Sequence, residues 1–234
     1  MSRLPSKREI EPIAVIKNDF CEKFGIPRQS GRVESIPSRI IFEPKYRVAE
    51  ALREIEGFSH LWLIFDFSKA EGKDFSPTVR PPRLGGNRRV GVFASRSPFR
   101  PNRLGLSCVR LLGVEEQVEL GKTLLVGGAD LLDGTPIYDI KPYLPFADSR
   151  PDAAFGYAED ALSHRLSLGG GGEKLSALGE KAEAVFACLS EDPRPSYQDD
   201  PSRIYSMRYG EFDVRFRVDR DQFYVEEVVR AADN

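Results

Sequence analysis

The sequence predicts a mainly antiparallel β protein with a small α+β appendage at its carboxyl end. Three observations predict it. Seven short apolar runs of strand length are separated by Gly and Pro; the composition changes after Pro151; and Phe212, Val214, Phe216 and Val218 alternate with charged residues near the end of the chain. With 234 residues, 41% of them apolar, the chain can build one large core and a small second one.

The runs fall at residues 13–16, 39–42, 61–67, 90–94, 106–112, 124–131 and 137–140. Short strands punctuated in this way predict a barrel or a sandwich. One helix is expected among them, because Val48, Ala51, Leu52 and Ile55 lie at helical spacing and Gly57 stands where a C-terminal cap belongs. The four glycines at 169–172 read as a linker or loop, since Gly gives up the most conformational freedom inside a packed element. Beyond them Leu175, Leu178, Ala182, Val185, Phe186 and Leu189 trace one helix face, stopped by Asp192 and Pro193. The alternating strand 212–218 follows, with 223–229 as its hairpin partner. The expected division is a β domain at 9–150 and a small α+β domain at 173–231.

A net charge of −2 argues against a polyanionic partner until its distribution is read. Between 75 and 114 there is no Asp or Glu, and Arg80, Arg83, Arg88, Arg89, Arg96, Arg100, Arg103 and Arg110 give that block a charge of +8. Arginine without lysine favours forked contacts to phosphate or carboxylate; the alternative is a solvated basic face. Cys21, Cys108 and Cys188 are too far apart for a Cys-x-x-Cys pair, and with only His60 and His164 beside them no metal site is expected. The amino terminus lacks the apolar stretch of a secretory signal, and the longest apolar run, 61–67, contains Asp66 and is too short to span a bilayer. The expected location is the cytoplasm, with no membrane partner.

Two nucleotide signatures fail. Gly121, Lys122 and Thr123 imitate the end of a phosphate loop, but Glu116 stands where its first glycine is required. No Gly-x-Gly-x-x-Gly follows a strand and opens a helix, so a Rossmann site is excluded. What remains is the segment Arg80-Pro-Pro-Arg-Leu-Gly-Gly-Asn-Arg-Arg-Val-Gly-Val-Phe-Ala-Ser-Arg-Ser-Pro-Phe-Arg-Pro-Asn-Arg-Leu-Gly-Leu-Ser, a shaped anion-binding loop around one strand.

That segment closely resembles the signature of the TsaA-like domain, the catalytic barrel of the TrmO family of tRNA adenine-N6 methyltransferases. The resemblance continues through Phe24-Gly-Ile-Pro-Arg-Gln-Ser-Gly31, Gly57-Phe-Ser-His-Leu-Trp62, Asp130-Leu-Leu-Asp-Gly-Thr-Pro136 and Asp139-Ile-Lys-Pro-Tyr143. Asp192-Pro-Arg-Pro-Ser-Tyr197 resembles the family's appended carboxyl-terminal module. Ser95 departs from the usual Thr, and 161–173 has no counterpart.

The resemblance implies a non-Rossmann, antiparallel β-barrel methyltransferase that works as a homodimer. It would use S-adenosylmethionine to methylate N6 of threonylcarbamoyl-adenosine next to the anticodon of tRNA. By the same analogy the cofactor site draws on Gln29, Ser30, Gly31, Arg96, Leu106, Asp133, Gly134, Thr135, Pro136 and Ile137. Arg96 suits the cofactor's carboxylate, Asp133 or Gln29 its ribose hydroxyls, and the backbone near Leu106 its adenine edge. Asp139 and Tyr143 are the candidates for orienting the reacting N6 group. Arg80, Arg83, Arg88, Arg100 and Arg103 are the candidates for the anticodon loop, with Arg194 and Tyr197 behind them.

Each has a plainer alternative. As sequence alone Asp133-Gly134 reads first as a hairpin turn; Asp139, Lys141 and Tyr143 read also as a structural network, His60 as a core or helix-end histidine, and Trp62 as core. The competing functions are a noncatalytic RNA-binding β-barrel module and an enzyme whose arginine pocket takes an anionic metabolite.

Overall fold

The computed structural model describes residues 8–70, 72, 74–81, 88–157, 164–195 and 198–231. In chain order its strands begin with β1 (Ala14–Lys17), β2 (Pro37–Phe42) and β3 (His60–Asp66), followed by the short pair β4 (Thr78–Val79) and β5 (Val90–Gly91). Next come β6 (Leu104–Gln117), β7 (Gly121–Gly127) and β8 (Pro136–Pro142). Six of these form one antiparallel sheet in the order β1-β2-β7-β6-β3-β8, and β8 also pairs with β1 at Ala14↔Ile137 and Val15↔Pro136.

Alternation decides which side chains this sheet buries. On β3, Leu61, Leu63 and Phe65 point inward, joining Ile16, Ile40, Val109, Leu124, Val126 and Ile137 in one core, while His60, Trp62 and Ile64 stay half-buried on the other face. Each fully buried aliphatic side chain in that core contributes about 1.5–3 kcal/mol. Gly105 is required opposite Phe65, because a Cβ there would lie 2.2 Å from the ring's Cζ. Register shifts on β8 opposite Ile64/Phe65 and on β6 between Leu111 and Gly113 bend the strands.

The helix expected around 48–55 is absent. Three separate 3-10 turns take its place, at Pro44–Tyr46, Ala49–Leu52 and Ile55–Gly57. Glu54 in the left-handed region (φ 66°) separates the last two, and Val48 is 49% exposed, so the apolar spacing never becomes a buried face. The strand expected over 90–94 is likewise shorter. It stops at Gly91, and Val92–Ala94 turn into a 3-10 helix whose end is tied by a bond from the Ser95 hydroxyl to the Val92 carbonyl.

After a short helix α1 (Pro145–Asp148), a second sheet is built from β9 (Ser167–Gly170), β10 (Tyr205–Tyr209), β11 (Phe212–Asp219) and β12 (Gln222–Arg230), in the order β10-β11-β12-β9. The glycine run is therefore not a loop. It opens in β9, parallel to β12, and a Cβ at Gly169 would stand 2.4 Å from the Tyr224 ring. Gly171 (φ 75°) then turns the chain against the Val225 carbonyl, which a Cβ would meet at 2.0 Å. The apolar face at 175–189 is helical but broken at Gly179 (φ 57°, ψ −127°) into a 3-10 segment, Gly172–Lys181, and α2 (Ala182–Ser190).

This second core is not made by the carboxyl-terminal residues alone. Phe20, Val33 and Ile36, from the connection between β1 and β2, are buried in it with Leu175, Val185, Leu189, Val214 and Phe216, and Phe24 and Ile26 pack against it. No helix among the described residues is long and apolar enough to cross a membrane.

Candidate active site

The connection from β1 to β2 runs between the two sheets, and its middle carries three of the expected site residues. Gly25 (φ 93°) lets the chain pass against Met207 of β10. Gly31 (φ 75°) then turns it back, its amide donating to the Gly128 carbonyl at 2.9 Å. Between them Gln29 meets Arg96, whose guanidinium donates to Gln29 Oε1 at 2.6 Å although the two lie far apart in sequence. The Ser30 hydroxyl accepts from the Cys108 amide of β6 at 3.1 Å.

Beneath this contact lies Asp130. The Ser107 hydroxyl, 1% exposed, donates to its carboxylate. Burial pushes the Asp130 carboxyl above the ordinary carboxylate range, while Ser107, its own amide, the Arg96 charge and the Ser30 amide pull it back. Asp130 opens the motif 130–136, but nothing in the sequence assigns it a role; only the fold brings Ser30, Arg96 and Ser107 around it.

The turn expected to complete the site is anchored to β1. Asp133 accepts from Lys17 Nζ and the Asn18 amide, both at 3.1 Å, and the Gly134 amide (φ 74°) donates to the Ile16 carbonyl at 2.8 Å. Thr135 is buried with its hydroxyl on the Leu132 carbonyl, Pro136 opens β8, and Ile137 is a core residue. The side chains of Thr135 and Ile137 are thus committed inward, and the amides of Asp133, Gly134 and Thr135 are spent on the Phe20, Ile16 and Leu132 carbonyls, so the turn is fixed as a rigid wall. It is joined to the Asp130 cluster by the short run 130–133.

Strand register gathers other candidates on the outward face of β6, β3 and β8. Leu106, Ile64 and Asp139 form one row across the three strands, and Cys108, Trp62 and Lys141 the next. At the usual strand spacing Leu106 and Asp139 are about 10 Å apart. Asp139 binds Lys141 Nζ at 2.9 Å and the Ile140 amide at 2.9 Å. Tyr143 packs its ring against Trp62, centroids 5.8 Å apart, and His60 at 6.2 Å. Trp62 and His60 are therefore outward, half-buried strand residues rather than core or helix-end residues, and the indole Nε1 of Trp62 donates to Asp148 at 3.1 Å.

The basic block divides. Arg80, just after β4, and Arg88, just before β5, are exposed and have no protein partner among the described residues; Arg83 lies outside the described residues. Arg100 braces the turn before Arg96, donating to the carbonyls of Ser95 at 2.7 Å and Val92 at 3.3 Å. Arg103 lies 3.8 Å from Asp66. Sequence reasoning passed over Phe93, a 74% exposed aromatic in the same turn with Arg100 5.8 Å from its ring centre. Its signal was there: a large apolar residue inside a stretch otherwise built of Arg, Gly, Pro and Ser. Arg194, expected as a weak RNA contact, is instead buried and held by Asp192 through bonds of 2.9 and 3.0 Å. Tyr197 lies outside the described residues. Among the described residues no group of His, Cys, Asp and Glu could hold a metal ion.

Two family models match the chain, the tRNA-methyltransferase O N-terminal domain over residues 15–149 and the TrmO C-terminal domain over residues 173–231. A tRNA (adenine(37)-N6)-methyltransferase of Escherichia coli (strain K12) is 41% identical over 222 residues, which are 91% of this chain and 94% of that protein. A putative S-adenosylmethionine-dependent methyltransferase RcsF of Pseudomonas aeruginosa is 41% identical over 221 residues, 90% of this chain and 93% of its own. A crystal structure of TrmO from Pseudomonas aeruginosa superposes with a TM-score of 0.77 at 34% identity, over 95% of this chain and 99% of that one.

Proposed function

Because the chain belongs to the tRNA-methyltransferase O family, we propose that it transfers a methyl group from S-adenosylmethionine to N6 of adenine 37 in tRNA. The observation that carries this reading is the contact between Gln29 and Arg96, which brings two distant expected cofactor residues to one place. The residues fit the cofactor. Arg96 is exposed, is fixed at one nitrogen by Gln29 and keeps further donors for a carboxylate. Gly31 and Gly134 have positive φ and nothing within 4 Å of where a Cβ would stand, so a ligand can approach their main chain closely.

When bound, S-adenosylmethionine supplies an electrophilic methyl group on a sulfonium centre. Arg96, Gln29, Asp133 and the chain at Ser30, Gly31, Leu106 and 134–137 would hold it, and alignment of the two reactants would supply much of the acceleration. As the N6 lone pair takes the methyl group and the methyl–sulfur bond breaks to leave a neutral thioether, Asp139, having lone pairs left beyond Lys141 and the Ile140 amide, would accept the N6 hydrogen and pass the proton to solvent. Tyr143, seated against Trp62, orients the base. The substrate nucleoside is threonylcarbamoyl-adenosine, whose acyl group makes the N6 proton more acidic than in adenosine. Arg80, Arg83 and Arg88 take the phosphates of the anticodon loop, Arg100 and Arg103 help where their internal bonds allow, and Phe93 offers a ring on which a base can stack. Mass spectrometry of tRNA nucleosides from cells with and without the protein should show the N6-methylated form only with it. Equal amounts in both would overturn the reading.

The functional units are a closed antiparallel barrel within 9–150, sealed by the β8–β1 pairing, and the small α+β unit within 173–231. The protein acts in the cytoplasm as a homodimer. Support for the dimer comes from β6, which exposes Leu104 (39%), Leu106 (50%) and Leu112 (46%) beside the site. Light scattering at micromolar concentration should give twice the mass of the chain; a fully active monomer would exclude it.

A further inference from the structure

The cofactor loop is held from both sides, and only one side is the barrel. On the barrel side the contacts are Gln29 to Arg96, Ser30 to Cys108 and Gly31 to Gly128. On the other side stands the turn that ends α2. There Glu191 and Asp192 return their amides to the carbonyls of Cys188 and Leu189, and Asp192 takes the left-handed conformation (φ 49°). The main-chain oxygens freed by this turn are taken by Arg28, whose guanidinium donates to the Asp192 carbonyl at 3.2 Å and to the Arg194 carbonyl. A cation at a helix C-terminus also meets the favourable end of the helix dipole. One residue beyond Gly31, Arg32 Nε binds Glu191 Oε2 at 2.7 Å, with side-chain exposures of only 19% and 9%. Arg165 takes the other Glu191 oxygen at 3.0 Å. Asp192, in turn, is fixed by Arg194 and by His164 at 3.1 Å.

Arg28 and Arg32 thus bracket Gln29, Ser30 and Gly31 and tie both ends to one rigid turn of the carboxyl-terminal unit. Burial lowers the Arg28 pKa against the opposing pull of Asp192 and Glu191, as expected of a guanidinium drawn out of water for a specific partner. The apolar residues of the same connection, Phe20, Phe24, Ile26, Val33 and Ile36, anchor it in the second core on either side of the clamp.

We infer that the carboxyl-terminal unit positions the cofactor loop, with Arg28, Arg32 and Glu191 as positioning residues that touch neither cofactor nor tRNA. The inference rests on reading residues 29–31 as part of the S-adenosylmethionine site. Its test is calorimetric titration of S-adenosylmethionine into the full-length protein and into Glu191→Ala, Arg32→Ala and the double variant. Either single change should raise Kd about tenfold, equivalent to about 1.4 kcal/mol. The double variant should lose less than the sum of the two single losses, because the Arg32–Glu191 contact is removed in both. Glu191→Gln, which keeps an acceptor for Arg32, should recover most of the affinity. With cofactor at saturation kcat should stay near wild type, and amide exchange in the free variants should speed up at Ser30 and Gly31 while β11 remains protected. Unchanged Kd in both single variants, additive losses, or exchange that rises equally in β11 would overturn the inference and leave a stabilising contact. If the unaltered protein fails to bind S-adenosylmethionine, the reading of the site falls first and this inference with it.

Discussion

Replacing Arg96 by alanine should raise the Kd for S-adenosylmethionine by about 10- to 150-fold, the range for losing a charge-assisted hydrogen bond. The effect should fall on the cofactor alone, because Arg96 is engaged with Gln29 and its charge acts on the buried Asp130. Arg96→Lys should recover only part of the loss, since an ammonium keeps the charge without the planar fork. Arg88→Ala makes the opposite demand. Exposed and unpartnered among the described residues, Arg88 should leave cofactor affinity unchanged and lower the salt slope of tRNA binding by about 0.7 for one lost phosphate contact. Arg100, which the block's charge alone groups with Arg88, should not behave like it. Its donors hold the Val92 and Ser95 carbonyls, so its loss loosens the turn that presents Arg96. Calorimetry for the cofactor and a salt titration for tRNA separate these cases. If Arg96→Ala loses tRNA and keeps the cofactor, the basic block is one RNA surface and the carboxylate is held elsewhere.

The strands were legible where a continuous apolar run of strand length, such as 61–65, stood between turn residues, or where Phe212, Val214 and Phe216 alternated with charged neighbours over enough residues to declare a period. The sequence misled where a period was short. Val48, Ala51, Leu52 and Ile55 imitate a helix over barely two turns, and the left-handed Glu54 breaks it before Ile55. The glycines at 169–172 misled for another reason: their role depends on Tyr224 and Val225, which arrive from far along the chain. The site shows the same split. Arg96, Gln29 and the 133–137 turn were proposed through motifs, whereas the partners of Asp130 and the Arg28, Arg32 and Glu191 contacts are long-range pairings that no local pattern encodes. Composition changes ahead of the second sheet, but the burial of Phe20, Val33 and Ile36 in the second core was not legible, because those residues lie in irregular chain without periodicity.

Asp130→Ala should be among the most damaging single changes at the site. It leaves the Ser107 hydroxyl, 1% exposed, without its acceptor, and it removes the carboxylate that steadies the Ser30 amide. A buried polar group left unsatisfied costs about 1–3 kcal/mol, so the two losses together should lower stability by about 2–5 kcal/mol. Asp130→Asn tests the charge separately, because the amide oxygen can still accept from Ser107. Burial raises the Asp130 pKa above its value of about 3.9 in an unfolded chain, so the folded protein holds this proton more tightly. The stabilisation tied to that proton is fully present below about pH 4 and is lost as pH rises through the folded pKa. Asp192 works in the other direction. Its burial is outweighed by Arg194 and His164, its pKa is lowered, and its contribution disappears as pH falls. Measuring wild type and Asp130→Asn side by side cancels the Asp192 contribution and leaves that of Asp130. Urea unfolding from pH 4 to pH 8 should show Asp130→Asn gaining on wild type as pH rises, then running parallel to it once Asp130 is ionised in both states. A variant that instead loses ground as pH rises would mean that Arg96, Ser107 and the Ser30 amide favour the charged form more than burial opposes it. Asp130 would then be an anionic counterweight that holds Arg96, and Asp130→Asn should weaken S-adenosylmethionine binding nearly as much as Arg96→Ala.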